Sequence, residues 1–254
     1  MKRVCLIGAA GDSLTQRLPA VLARQGWSAP AIEPERLSDL RVSIDHEHLL
    51  VEGETVGAIV FRAATNTPFS ASFPDSDHAF CDAETRAIWL AAVNLPDITS
   101  FNRLDAIAWF ETEHWTVWRR VLARRGVPLA RCELGYAREE GSRMWLPFSA
   151  PVPQADPGES IARAGGSARF AEQRLTRSLI ACGRVVSGPG GATIEAAVRE
   201  LARAGVKLAE IVTDEAGDIA WVDTLPRALS DSESERVVEL IAAEIAGGFA
   251  ERAP

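Results

Sequence analysis

The stretch Lys2-Arg3-Val4-Cys5-Leu6-Ile7-Gly8-Ala9-Ala10-Gly11-Asp12-Ser13 decides the fold class. From Arg3 to Gly8 it reads as a short β-type run that ends in a turn of small residues. Asp12 and Ser13 are residue types that cap helix N-termini. Leu14, Leu18, Val21 and Leu22 then fall on one helical face, which predicts a helix over 13–25. Pro19 inside it predicts a kink or a late start, and Gly26 reads as its stop. With Trp27–Ile32 as the next strand, the chain opens as a β-α-β unit with parallel strands.

Outward from this unit, Leu40–Ile44 and His48–Val51 read as a hairpin, and Val56–Phe61 as a buried strand. Residues 63–79 are polar and contain proline, the composition of a loop. Asp82–Val93 and 113–125 read as helices, the second stopped by Gly126 with Pro128 behind it. The predicted domains are 1–111 and 112–254, and the second carries an irregular, proline-containing segment over 135–177. Beyond it the pattern predicts a strand from Ser178 to Val186 and a helix from Thr193 to Ala204. An antiparallel pair (206–213 with 219–223) and a closing helix from Arg236 to Ile245 follow. The whole is α/β, with an α+β second half.

The chain has 254 residues, 47% hydrophobic and 24% charged, enough apolar content to bury a core and too much for a disordered chain. A net charge of −8 argues against a nucleic-acid binder, which needs a basic face. No apolar run reaches the roughly 18 residues needed to cross a membrane. Cys5, Cys81, Cys132 and Cys182 form no C-x-x-C pair. The expected setting is therefore reducing and cytoplasmic. Lys2 and Lys207 are the two lysines, so nearly all of the 27 basic residues are arginines, and chemistry that needs a buried lysine has almost no candidates.

Several short motifs have both a bland and a functional reading. Gly8-Ala9-Ala10-Gly11 is a tight β-α turn and not a dinucleotide fingerprint. His46-Glu47-His48 puts two imidazoles on one side of a strand, a solvent-facing hairpin or two of three metal ligands. Asp75, Asp77, His78, Asp82 and Glu84 form an acidic segment, read as carboxylates complementing a helix N-terminus or as a ligand-binding loop. Trp109, Trp115 and Trp118 with Phe101 and Phe110 are core or a peptide groove. Arg119, Arg120, Arg124 and Arg125 are an exposed helix face or a carboxylate-binding one. Gly188-Pro189-Gly190-Gly191 is a loop that could approach a phosphate at a helix start.

The order of the pieces resembles the ATP-grasp superfamily of ATP-dependent carboxylate–amine and carboxylate–thiol ligases. The branches it is most similar to modify ribosomal peptides or add glutamate. The resemblance rests on Asp12 heading the first helix and on the stretch Phe73–Glu84. It rests also on Phe101-Asn102-Arg103, on Ala123-Arg124-Arg125-Gly126-Val127-Pro128, and on the closing hairpin Leu208–Pro226, which is similar to one ending in E-x-N-x-x-P. It implies a Rossmann-like N-terminal unit followed by a reduced ATP-grasp-like unit, with Asp12, Glu84, Asn102, Arg103, Trp115 and Arg119 on a ligand or partner surface.

The departures from the family pattern are as informative. The family grips ATP with two lysines, and none occurs between Lys2 and Lys207. The closing E-x-N falls on Trp221-Val222-Asp223, so a tryptophan stands where a Mg²⁺ ligand is implied. Asp223, with Glu210 or Asp214 from the preceding strand, is what remains for metal. Some 140 residues follow position 113, fewer than the family's clamp uses. The expectation is a degenerate ATP-grasp protein without a bound cofactor. It would bind a small molecule or peptide, pair with an active ligase, or form a homodimer, with no nucleic acid or membrane partner. The alternative is an active ligase with an arginine-adapted site that uses ATP and Mg²⁺.

Overall fold

A computed structural model describes residues 2–45, 48–62, 77–101, 114–130, 132–136, 166–170, 175–226 and 229–250. The chain divides into two compact units. The first holds residues 1–110 and 227–254, and the second 111–226. The C-terminal helix, Asp231–Ala250, therefore belongs to the N-terminal unit, whereas the sequence reading places it in the second domain.

In the first unit, β1 (Lys2–Gly8) runs parallel to β2 (Trp27–Ser28), β3 (Ala31–Ile32) and β6 (Glu54–Arg62), and β6 runs parallel to β7 (Thr99–Phe101). The hairpin of β4 (Val42–Asp45) and β5 (His48–Val51) adds antiparallel strands, giving the order β2-β1-β6-β5-β4. β6 is nine residues long and serves two neighbours on one edge. Its start pairs with β5 at Val56↔Leu49, and its end with β7 at Val60↔Phe101.

Helix α1 (Ser13–Arg24) starts at Ser13 and runs through Pro19, so the proline delays nothing. The Asp12 carboxylate accepts from the Thr15 amide at 2.8 Å and sets that start. Gly26, at φ +79°, ends the helix as predicted. Leu14, Leu18 and Leu22 are fully buried. The C-terminal helix, here α5 (Asp231–Ala250), lies along α1; Ser13 Oγ and Ser234 Oγ are 2.9 Å apart, and Arg17 pairs with Asp231 and with Glu235. On one face of the sheet Cys5, Ile7, Ile59 and Phe61 form a core with Trp89 and Val93 of α2 (His78–Val93).

The second unit holds an antiparallel sheet of order β11-β10-β12-β13. Its strands are β10 (Thr176–Ala181), β11 (Arg184–Ser187), β12 (Leu208–Thr213) and β13 (Ile219–Asp223). Ile180, Ala209, Ile211 and Val222 pack with Trp118 and Leu122 of α3 (His114–Arg124), and with Ile194, Ala197 and Leu201 of α4 (Ala192–Arg203). β8 (Cys132–Tyr136) and β9 (Gly166–Phe170) form a separate antiparallel pair.

Four local readings are corrected. The strand expected from Ser178 to Val186 is a hairpin, because Cys182 (φ +48°) and Gly183 (φ +73°) turn the chain between β10 and β11. β8 and β9 bracket part of the segment expected to be irregular, since a ladder between residues far apart in sequence (Cys132↔Phe170 to Tyr136↔Gly166) has no local signature. Helix α2 begins at His78 and not at Asp82, so neither Asp82 nor Glu84 falls in its first turn. The closing helix spans Asp231–Ala250, longer than 236–245.

Candidate functional site

The register of the second sheet sets out a row of chemistry. Glu210 pairs with Asp223 across β12–β13, Val212 pairs with Trp221, and Leu179 of β10 pairs with Glu210. Because side chains alternate, Arg177, Leu179, Glu210, Val212, Trp221 and Asp223 fall in one register row of the sheet. Arg177 Nε donates to Glu210 Oε2 at 2.6 Å; the two side chains are 22% and 9% exposed. Asp223 Oδ1 accepts from the Leu225 amide at 2.7 Å. Trp221 is buried.

The family resemblance names Asp223 with Glu210 or Asp214, and the fold makes Glu210 and Asp223 direct cross-strand neighbours. Asp214 is drawn elsewhere. Its Oδ1 accepts from the Ala216 and Asp218 amides at 3.0 and 2.9 Å, so it holds the tip of the β12–β13 hairpin. It also borders an open cavity of about 620 Å³ with Leu175, Thr176, Arg177 and Glu215. Arg177 was missing from the sequence-level candidates; only the strand register puts its guanidinium beside Glu210.

Arg119 of α3 donates through Nη2 to the Ala130 carbonyl at 2.8 Å, and the Ala130 amide donates to Ile219 O at 2.9 Å. It ties α3 to the segment beside β13. Trp115 lies in α3 one turn before the buried Trp118, but its side chain is outside the described residues. Asn102, Arg103, Trp109, Phe110, Asp75, His46 and Glu47 are outside them altogether. His48 is exposed on β5. Among the described residues no group of three His, Cys, Asp or Glu side chains could hold a metal ion. In the loop before α4, Ser178 Oγ donates to Pro189 O at 2.8 Å, and Gly188 (φ +85°) lies against the Arg177 carbonyl, so the first half of that loop is packed onto β10.

In the first unit, Asp12 follows β1 and Arg62 ends β6, its parallel neighbour. Asp12 Oδ1 accepts from Arg62 Nη2 at 2.7 Å, and Oδ2 accepts from the Thr15 amide and hydroxyl, both at 2.8 Å. The side chains are 2% (Arg62) and 10% (Asp12) exposed. Burial pushes the Asp12 pKa up. The bond and charge of Arg62, with the two Thr15 donors, outweigh it and hold the carboxyl below its ordinary value. Gly8 makes room for this cluster, since a Cβ there would stand 2.2 Å from Thr15 Oγ1. Glu84 is exposed on α2.

The three-dimensional arrangement has clear relatives among solved structures. The ATP-grasp ligase PsnB complexed with a minimal precursor superposes with a TM-score of 0.65 at 12% identity, over 98% of this chain and 99% of that one. The chain has the ATP-grasp ligase fold. The macrocyclase MdnC from Microcystis aeruginosa MRC, bound with the precursor peptide MdnA, matches at 0.56 and 11% identity over 94% and 100% of the chains. A RimK domain protein ATP-grasp from Sphaerobacter thermophilus DSM 20745 matches at 0.53 and 17% identity over 98% and 99%. No family model matches the sequence, and no curated protein matches it significantly. The ATP-grasp assignment therefore rests on shape, which agrees with the motif order read along the sequence. Among the described residues no helix is long and apolar enough to cross a membrane.

Proposed function

We propose that this chain is an ATP-grasp-fold protein that binds a peptide, alone or beside an active ligase, without hydrolysing ATP. The observation that carries the reading is the state of the carboxylates on β12 and β13. Mg²⁺ needs near-octahedral oxygen donors and shares them with nucleotide phosphates. Here a guanidinium sits 2.6 Å from Glu210, a buried tryptophan stands where the family motif implies a donor, and Asp223 holds the Leu225 amide with one oxygen. A pair of Mg²⁺ ions does not fit that donor set, and the sequence has no lysine between Lys2 and Lys207 to steady a triphosphate. Peptide is the favoured ligand class because PsnB and MdnC were solved with precursor peptides. The structural matches run nearly end to end, so the reading stands on the donors and not on chain length.

The adjacency of Glu210 and Asp223 supports a second reading, an active ligase in which the two carboxylates hold a single Mg²⁺ after Arg177 swings to the phosphates. Thermal unfolding with ATP and Mg²⁺ separates the two. The first reading expects no shift. The second expects about 2.7 kcal/mol of added stability at a hundredfold excess over Kd, lost in Asp223→Ala. A saturable, Mg²⁺-dependent shift, or turnover of ATP with a precursor peptide encoded beside the gene, would overturn the proposal.

A further inference from the structure

Helices α3 and α4 of the second unit are neighbours, and both turn their apolar stripes into the same core, Trp118 and Leu122 from one and Ile194, Ala197 and Leu201 from the other. The opposite stripes are exposed and carry arginine. Arg120 and Arg124 stand one turn apart on α3, and Arg125 follows its last turn; Arg199 and Arg203 stand one turn apart on α4. The two rows are joined at Glu200. Its Oε1 accepts from Arg203, and its Oε2 lies 3.4 Å from Arg125 Nε. The fold thus gathers onto one outer surface five arginines that the sequence keeps far apart.

The charge on that surface is uneven. Glu200 is a single carboxylate shared by two guanidinium groups that are themselves 63% (Arg125) and 66% (Arg203) exposed, whereas Glu200 is 13% exposed. Among the described residues no carboxylate pairs with Arg120, Arg124 or Arg199. Glu195, the other acid of α4, lies five residues from Glu200 and so well round the helix from the α3 side. Ala196, one turn before Glu200, adds no bulk between the two rows.

We propose that the outer face of α3 and α4 docks an acidic segment of a partner polypeptide, whose Asp and Glu side chains lie between the two arginine rows. A carboxylate matches the guanidinium fork and takes two hydrogen bonds from it at once. One exposed pair contributes little, so such a surface needs several arginines acting together, and here five converge on one carboxylate of their own. Complementary charge of this kind sets the encounter rate and the choice of partner. A nucleic acid is the poorer match. Its phosphates run on past a patch two helices wide, toward a chain whose net charge is −8, whereas a short acidic segment needs only the patch. The inference does not depend on whether the carboxylates of β12 and β13 hold metal, since none of these arginines belongs to that row.

The test is fluorescence anisotropy of a fluorescein-labelled oligoglutamate peptide titrated with the full chain, at low salt and then with added salt. The wild type is expected to bind it saturably and to lose affinity as salt screens the contact. Arg124→Glu with Arg199→Glu reverses one charge in each row, touches neither partner of Glu200, and should weaken binding about tenfold or more with an unchanged circular dichroism spectrum. Arg24→Glu with Arg36→Glu, two exposed arginines of the first unit, changes the net charge by the same amount and should leave the affinity within about twofold. Absence of saturable binding overturns the proposal. So does an equal loss in the two double variants, which is a general effect of net charge, or tighter binding of labelled oligothymidine than of oligoglutamate, which marks a surface for nucleic acid.

Discussion

Asp12 illustrates how the structure separates a ligand-facing role from a structural one. If the carboxylate served a ligand, replacing it would cost binding and leave folding intact. Its surroundings predict the reverse. Arg62 is 2% exposed and Asp12 10%, and breaking a buried ion pair by removing one partner costs about 3–5 kcal/mol, because the other charge stays buried. Arg62→Met should fall near the lower end, about 3 kcal/mol, since two Thr15 donors still hold the carboxylate. Asp12→Ala strands Arg62 and also removes the cap of α1, worth about 1 kcal/mol more, for a total of about 4–5 kcal/mol. Asp12→Asn combined with Arg62→Met keeps a capping oxygen and buries no lone charge. It should return to within about 1–2 kcal/mol of wild type, less than the sum of the single costs. Urea unfolding followed by tryptophan fluorescence and far-ultraviolet circular dichroism measures all three, with the transitions of the two units fitted separately. An Arg62→Met cost below about 1 kcal/mol, or a double variant equal to the sum of the singles, would refute the argument. The pH dependence has a definite sign. The folded pKa of Asp12 lies below its unfolded value. Its contribution is therefore complete above the unfolded pKa of about 4, and is lost as the pH falls below that toward the folded value.

Two further tests are simple. Burial pushes the Cys5 thiol up to about 12 against a smaller lowering by Arg3, so iodoacetamide at mildly alkaline pH should label half-exposed Cys81 in the native protein and leave Cys5 until unfolding; early labelling of Cys5 by peptide mass spectrometry would contradict the packing of β1. Gly188→Ala should destabilise the second unit by about 2 kcal/mol or more, because φ is +85° and the new Cβ would stand 2.1 Å from the Arg177 carbonyl oxygen. Gly190→Ala, with open space around it, should be close to neutral; equal Tm values for the two variants would show that the loop is not packed on β10.

Local chemistry announced the elements that depend on neighbours in sequence. Asp12 before an i, i+4, i+8 row of leucines specifies a helix start and a buried face, since capping and amphipathic spacing act within a few residues. Gly26 ends that helix for the same reason. The parallel opening unit and the closing hairpin were legible in this way, as was the motif order of the ATP-grasp fold, whose resemblance is what named Glu210 and Asp223 as candidates. The tertiary structure alone decided which charges meet. Arg62 lies 50 residues from Asp12, and Arg177 lies 33 residues from Glu210. Strand register, which no local pattern encodes, brings each pair within hydrogen-bond reach. It also sent Asp214 into a turn, returned the C-terminal helix to the first unit, and paired β8 with β9, because long-range pairing depends on what the rest of the chain has already buried.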